Sequence, residues 1–250
     1  MALELSKIYA VWLREVKRYT NSQARMVGSL GQPLLFLVAL GGGLGALVPS
    51  INYQTFILPG ILGMTLLFTS VFAGVSIIWD REFGFLKEML AAPASRETIV
   101  IGRTLGGATT AIIQGILILV VGILITGIPV PPLVNLVGIF AVMVVFSCFL
   151  VAVGIAFASL IQEVETFQLI MNLLIMPLFF LSDALFPIDS MPSWLRFISS
   201  LNPISYAIDA LRTLLLGAGH FSLLLDFGVT GASLLIALGV ASYLFSKTSI

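Results

Sequence analysis

The chain has 250 residues, of which 59% are apolar and 10% charged, with twelve basic and twelve acidic side chains and a mean hydropathy of +1.12. A soluble domain carries roughly 25% charged residues, and a globule this poor in charge cannot cover its own surface. A water-soluble enzyme, a disordered tail and a nucleic-acid binder are all close to excluded, the last because zero net charge leaves no basic field to gather polyanions. The chain reads as an all-α integral membrane protein in one domain spanning residues 1–250. Its single cysteine, Cys148, lies in an apolar run and is silent on redox compartment.

Residues 4–20 predict an amphipathic helix. Leu5, Ile8, Trp12, Val16 and Tyr19 recur at spacings of three and four, and Lys7, Arg14 and Arg18 fall on the opposite face. An apolar face with Trp and Tyr set against a basic face suits the lipid–water boundary, which favours an interfacial helix over a merely orienting basic flank. The first apolar run begins after Arg25 and exceeds twenty residues, too long for the roughly 7–15-residue core of a cleaved signal peptide.

More than fifty uncharged positions separate Arg25 from Asp80, and as many separate Arg103 from Glu163. A helix needs about 20 apolar residues to cross the hydrocarbon, so each gap holds two crossings and a reversal. The reversals read as Val48-Pro49-Ser50-Ile51-Asn52-Tyr53 and Gly127-Ile128-Pro129-Val130-Pro131-Pro132. Two shorter gaps, Glu165 to Asp183 and Asp226 to Lys247, add one crossing each. Six spans are expected at 27–48, 55–79, 99–127, 133–160, 166–183 and 223–245, the third long enough to tilt or protrude.

Between the second and third spans, residues 80–98 carry Arg81, Glu82, Lys87 and Glu88 beside an apolar stripe of Phe83, Leu86, Met89 and Leu90. The stripe predicts a two-turn helix, stopped by Pro93. Ser95 is placed to cap the next helix. A short charged helix whose stripe would otherwise be exposed for no return is a docking surface for a partner; a solvated loop is the alternative. Beyond the fifth span, residues 184–221 are too apolar for a free loop. Ser190 with Pro192 starts one helix through Trp194, Leu195, Phe197 and Ile198, and Asn202 with Pro203 starts a second that runs to Leu216 and ends at Gly217. Neither can span the bilayer, so they lie in the outer interface or re-enter it, as an outer lid or as a surface cap.

Orientation follows the basic residues. Lys7, Arg14, Lys17, Arg18, Arg25, Arg81, Lys87, Arg96, Arg103 and Lys247 fall on one side of six crossings and only Arg196 and Arg212 on the other, which puts both termini in the cytoplasm. The acidic loop Gln162-Glu163-Val164-Glu165 is the one feature against it.

Catalytic and phosphate-binding motifs are missing. The only histidine, His220, stands alone; there is no Gly-x-Ser-x-Gly, no His-Glu-x-x-His, no Cys/His cluster and no Gly-x-x-x-x-Gly-Lys-Ser/Thr. The expectation is no catalytic, cofactor or metal site in this chain. The expected spans hold no Asp, Glu, Lys or Arg away from their ends, whereas gradient-driven carriers keep such groups inside the membrane. Energy for transport must then arrive through a cytoplasmic surface. Gly41-x-x-x-Gly45 and Gly102-x-x-x-Gly106 allow close helix packing. Thr65, Thr69, Gln168 and Asn172 either line a passage or bond neighbouring helices.

The amphipathic start leading into Gln32-Pro33-Leu34-Leu35-Phe36, Leu58-Pro59-Gly60-Ile61, Arg81-Glu82-Phe83-Gly84 with Leu86-Lys87-Glu88 and Ala92-Pro93, and Leu201-Asn202-Pro203-Ile204-Ser205-Tyr206 with Ala210-Leu211-Arg212 stand in an order that resembles a known family. It is the membrane subunit of type-2 ATP-binding-cassette exporters, which includes drug-efflux and polysaccharide-export permeases. The resemblance covers nearly the whole chain. It implies a half-transporter in a prokaryotic plasma (inner) membrane, paired with a second copy and with cassette subunits that bind ATP and Mg. The loop at 80–98 would be the coupling helix, with Arg81, Glu82, Phe83, Gly84, Leu86, Lys87, Glu88, Met89 and Pro93 carrying the contact. Lys7, Trp12, Arg14 and Arg18 would mark the interfacial helix, and Trp194, Asn202, Pro203 and Tyr206 the external gate. Cargo would be a drug, a lipid or a lipid-linked glycan. A gradient-driven carrier or channel is the alternative; an intramembrane enzyme lacks the residues.

Overall fold

A computed structural model describes residues 4–47, 52–91 and 94–248, and every regular element among them is helical. In chain order these are α1 (Leu5–Thr20), α2 (Gln23–Leu47), α3 (Tyr53–Ala73), α4 (Val75–Glu82), α5 (Phe85–Ala91), α6 (Arg96–Thr126), α7 (Leu133–Leu160) and α8 (Val164–Phe180). A short 3₁₀ turn at Ile188–Ser190 precedes α9 (Ser193–Leu201), α10 (Pro203–Leu216) and α11 (Leu223–Ser246). Most of the reversal around Pro49, and the stop at Ala92 and Pro93, lie outside the described residues.

Among the described residues four stretches are long and apolar enough to cross a membrane: Tyr53–Glu82, Arg96–Thr126, Leu133–Leu160 and Leu223–Ser246. The other two expected spans are represented by shorter apolar helices, Gly28–Gly43 within α2 and Val164–Phe180.

Helix ends follow local chemistry. The Ser95 side chain accepts from the Thr98 amide at 3.2 Å, the cap expected for α6. Asn202 accepts from the Ile204 amide at 3.1 Å, with Pro203 at the first helical position of α10. α6 and α10 stop at Gly127 and Gly217, whose φ values of 68° and 70° only glycine adopts without strain. α9 starts later than expected: Ser190 closes the 3₁₀ turn and the helix begins at Ser193. The cause is Asp183, whose carboxylate accepts the Ile188 amide at 2.8 Å and winds that turn.

α3 is the central column. Every residue from Ile57 to Leu67 is buried, as suits a helix apolar all round. It packs on α2, α6, α7 and α10, while α7 pairs along α11 and α1 along α6. Gly74 interrupts the column before α4, and its amide bonds the Val71 carbonyl rather than the one a full turn back. A Cβ on Gly74 would lie 2.5 Å from the carbonyl carbon of Gly154 on α7, so the two backbones touch. The expected Gly102-x-x-x-Gly106 motif forms the seat of α1: Cβ atoms there would lie 2.8 Å from Val11 and 2.6 Å from Glu15.

Candidate functional site

At one end of the bundle α1, α4, α5 and α6 converge on Asp80, which is 2% exposed. Arg14 reaches Oδ1 at 2.5 Å and Arg103 pairs with Oδ2. Arg103 also donates to Ser76 Oγ at 3.1 Å and lies 3.9 Å from Glu15. Two guanidiniums thus face two carboxylates. The Met89 sulfur rests on both guanidiniums, 2.9 Å from Arg14 and 3.4 Å from Arg103, so the pair that binds Asp80 also positions α5.

The expected coupling residues divide about this knot. Leu86 is fully buried and Met89 half-buried, both turned into the chain. Phe83 (70% exposed), Phe85 (50%), Glu82, Lys87 and Glu88 face outward. The sequence periodicity placed Phe83, Leu86, Met89 and Leu90 on one exposed stripe, and for Leu86 and Met89 this needs correction. Gly84 turns at φ 79°, so Phe83 is not in helical register with α5, and the inner half of the stripe fills the bundle. Arg81 ties the segment to the end of α7 by donating to the Ile161 carbonyl at 3.1 Å. Pro93 lies outside the described residues, as does the side chain of Leu90.

α1 is drawn onto the bundle more than its pattern suggested. Trp12 Nε1 donates to Thr109 Oγ1 at 3.0 Å, Lys7 pairs with Glu4, and Arg18 lies 5.4 Å over the Trp79 ring. Arg14 and Arg18 were expected on a basic face opposite the apolar one; their long stems reach Asp80 and Trp79 of the bundle.

The four polar candidates for a passage are not brought together. Thr65 donates back to the Ile61 carbonyl at 2.9 Å. Thr69 bonds Gln114, which bonds Ser29, at the edge of a cavity of about 300 Å³ between α1, α2, α3, α4 and α6. Gln168 and Asn172 are exposed on α8, beside the face formed by Phe167, Met171, Ile175 and Phe179.

At the opposite end Asn202 is buried and donates to the Leu178 carbonyl at 2.6 Å, while Tyr206 donates to the Ser200 carbonyl at 2.7 Å and stacks on Phe221. Pro203 begins the same helix, α10. Trp194 stands apart, 64% exposed on α9 with Phe197, Ile198 and Leu201.

Sequence reasoning missed the charges that hold this end. Arg212 donates to Asp183 Oδ2 at 2.5 Å and to the Asp183 carbonyl at 2.6 Å, and its guanidinium lies 4.0 Å from the Phe56 ring centre. Asp209 accepts the His220 and Phe221 amides at 2.7 and 2.8 Å, folding the loop after α10 back on the helix. Asp226, 1% exposed, has neither carboxyl oxygen hydrogen-bonded among the described residues. Lone charges in an otherwise apolar stretch were the available signal, since burial there requires pairing.

Burial pushes the Asp183 carboxyl up to about 6, the pull of Arg212 notwithstanding. The folded state then holds this proton more tightly than the unfolded one, so stability is greatest below the unfolded value near 4 and falls as pH rises to about 6. Two units correspond to about 3 kcal/mol at most. Asp183→Asn is expected to flatten the melting temperature of the detergent-solubilised protein between pH 4 and 6; an unchanged slope would assign the titration elsewhere.

No group of His, Cys, Asp and Glu among the described residues is placed to hold a metal. Residues 6–216 match the family model described as ABC-2 type transporter. The chain belongs to the ABC-2 type transporter family. Similar chains include a transport permease, ycf38, of Cyanophora paradoxa, 36% identical over 202 residues, 76% of this chain and 67% of that protein. Nodulation protein J of Rhizobium leguminosarum bv. viciae is 28% identical over 242 residues, 88% of this chain and 86% of that protein. A protein named as a multidrug ABC transporter permease, YbhR, of Escherichia coli K12 is 27% identical over 169 residues, 67% of this chain and 45% of that protein. ABC-2 membership makes this chain a membrane-spanning permease and implies an ATP-binding partner.

Proposed function

We propose that the chain is the membrane half of an ATP-driven exporter. Six helices cross a prokaryotic plasma membrane with both termini inside, a second copy completes the pathway, and a separate cassette subunit hydrolyses ATP. The cargo is hydrophobic or amphipathic: a drug, a lipid or a lipid-linked glycan, classes that the names multidrug permease and Nodulation protein J among its relatives accommodate.

One observation carries the reading. The α4–α5 corner presents exposed Phe83 and Phe85 among Glu82, Lys87 and Glu88, while the Asp80 knot clamps its inner side to α1 and α6. Exposed aromatics ringed by charge have the composition of a protein-docking surface, and a rigid backing lets force on that surface reach the long helices. Six basic groups of the chain, Lys7, Arg14, Lys17, Arg18, Arg81 and Lys87, belong to α1, α4 and α5, which supports an inward-facing position for this end.

A gradient-driven carrier draws support from the orphaned Asp226 carboxyl and the helix break at Gly74. Among the described residues the other buried charges lie at the two ends of the bundle, ion-paired or, for Asp209, held by two backbone amides, which weighs against it. Proteoliposomes holding the chain with its cassette partner separate the two readings. Transport is expected to require ATP, and Phe83→Ala with Phe85→Ala to lower both partner capture and transport about tenfold, as for loss of an aromatic anchor. Cargo movement by the chain alone under a proton gradient would overturn the proposal.

A further inference from the structure

The 300 Å³ cavity beneath α1 has walls of unequal character. Phe72 and Trp79 make one side apolar. Ser76 (6% exposed), Thr110 (8%) and Gln114 (2%) are polar groups buried on the other. Ser76 accepts from Arg103 and so keeps its own O–H to donate. Arg18 completes the lining, half-buried and held over the Trp79 ring. Lys7 and Arg14 on the same helix are paired with Glu4 and Asp80, but Arg18 has no ion pair among the described residues. Glu15 is the one acid on the wall, and Arg103 stands 3.9 Å from it.

On the wall Arg18 is set against Glu15, and behind it Arg14 and Arg103 are set against Asp80, leaving one positive charge over for the whole cluster. That excess disfavours a cation. Arg with a hydroxyl donor, here Ser76, is phosphate-recognition chemistry, Thr110 and Thr69 having already given their O–H to Gly107 and Gln114; an aromatic, apolar wall offers nothing to a bare ion and suits the body of an amphiphile. A half-buried Trp such as Trp79 suits the level of lipid head groups. We propose that this cavity binds the phosphate-bearing head of a membrane amphiphile, with Arg18 as its cationic contact. The proposal goes beyond the transport reading and does not depend on it.

The full chain in non-ionic detergent, incubated with phosphatidic acid or with diacylglycerol of the same tails, tests it by native mass spectrometry. One phosphatidic acid per chain is expected to be retained and diacylglycerol lost. Arg18→Gln should lower retention about tenfold, as for loss of one charge-assisted contact. Thr110→Phe, which fills the cavity without changing charge, should do the same. Lys17→Gln, exposed on the same helix, should leave retention unchanged. Equal losses in Lys17→Gln and Arg18→Gln would reduce the effect to general attraction by a basic helix and overturn the site. Equal retention of diacylglycerol would remove the phosphate, and displacement by millimolar inorganic phosphate would remove the amphiphile; either result overturns the proposal.

Discussion

Asp80→Ala is expected to be among the most damaging single substitutions in this protein, destabilising it by about 3–5 kcal/mol. The carboxylate is 3% exposed and is shared by Arg14 and Arg103, the second of which is itself 2% exposed. Removing it leaves two guanidiniums facing each other, one with no route to water. Arg103→Ala is expected to cost a comparable amount for the converse reason. Asp80→Leu combined with Arg103→Met should recover part of the loss, because replacing both buried partners by apolar groups removes their desolvation cost together with their attraction, while Arg14 and Glu15 each lose a partner. Denaturation in detergent of the unaltered protein, Asp80→Leu, Arg103→Met and the double variant forms the cycle. If the double variant is as unstable as the sum of the singles, the two side chains are not coupled and the knot is not what positions α5. Met89→Ala offers a milder companion: the sulfur contacts both guanidiniums without carrying charge, so a small stability loss should accompany a larger loss of ATP-dependent transport.

Much of this arrangement was legible in the sequence where the cause is local. The expected span 133–160 coincides with α7, Leu133–Leu160, because Pro132 and the acidic loop after Ile161 bound an unbroken apolar run. Ser95 and Asn202 cap the helices they were expected to cap, since a cap is decided by residues two or three positions away. What was not legible is long-range pairing. Arg14 is 66 residues from Asp80 and Arg103 is 23, and a list of charges between gaps shows where such groups lie but not which of them meet. The inner stripe failed for another reason. Counting periodicity through Gly84 treats it as an ordinary helical residue, yet its positive φ resets the register, so Leu86 points inward and Phe83 does not. At the other end, Asp183 and Arg212 were read as charges at a boundary and in a surface segment. Their burial depends on loop 181–192 folding onto α10, which no periodicity encodes.

The contact between Gly74 and Gly154 sets the second large effect. A Cβ on Gly74 would meet the carbonyl carbon of Gly154 at 2.5 Å and its Cα at 3.0 Å, and a Cβ on Gly154 would in turn press on the Val71 carbonyl. Both obstacles are backbone, so no rotamer change can relieve them; α3 and α7 must separate. Gly154→Ala is therefore expected to destabilise the protein by about 1–3 kcal/mol or more, against the usual direction for a helical glycine, where alanine is favoured by roughly 0.5–1 kcal/mol. Gly228→Ala on α11, with nothing within 4 Å of the added atom, supplies the opposite sign under the same propensity. Gly107→Ala falls between, because its Cβ would meet only side-chain atoms, those of Ala73 at 2.9 Å and Val151 at 3.0 Å. The order of melting temperatures, Gly228→Ala above Gly107→Ala above Gly154→Ala, is the measurement, and a Gly154→Ala protein as stable as Gly228→Ala would show that the helices do not approach there. The same contact lies where the α3 column breaks into α4, one segment before the proposed docking corner. A Gly154→Ala protein that still folds should thus lose ATP-dependent transport more steeply than cassette binding, since the corner is intact while its connection to the spanning helices has been forced apart.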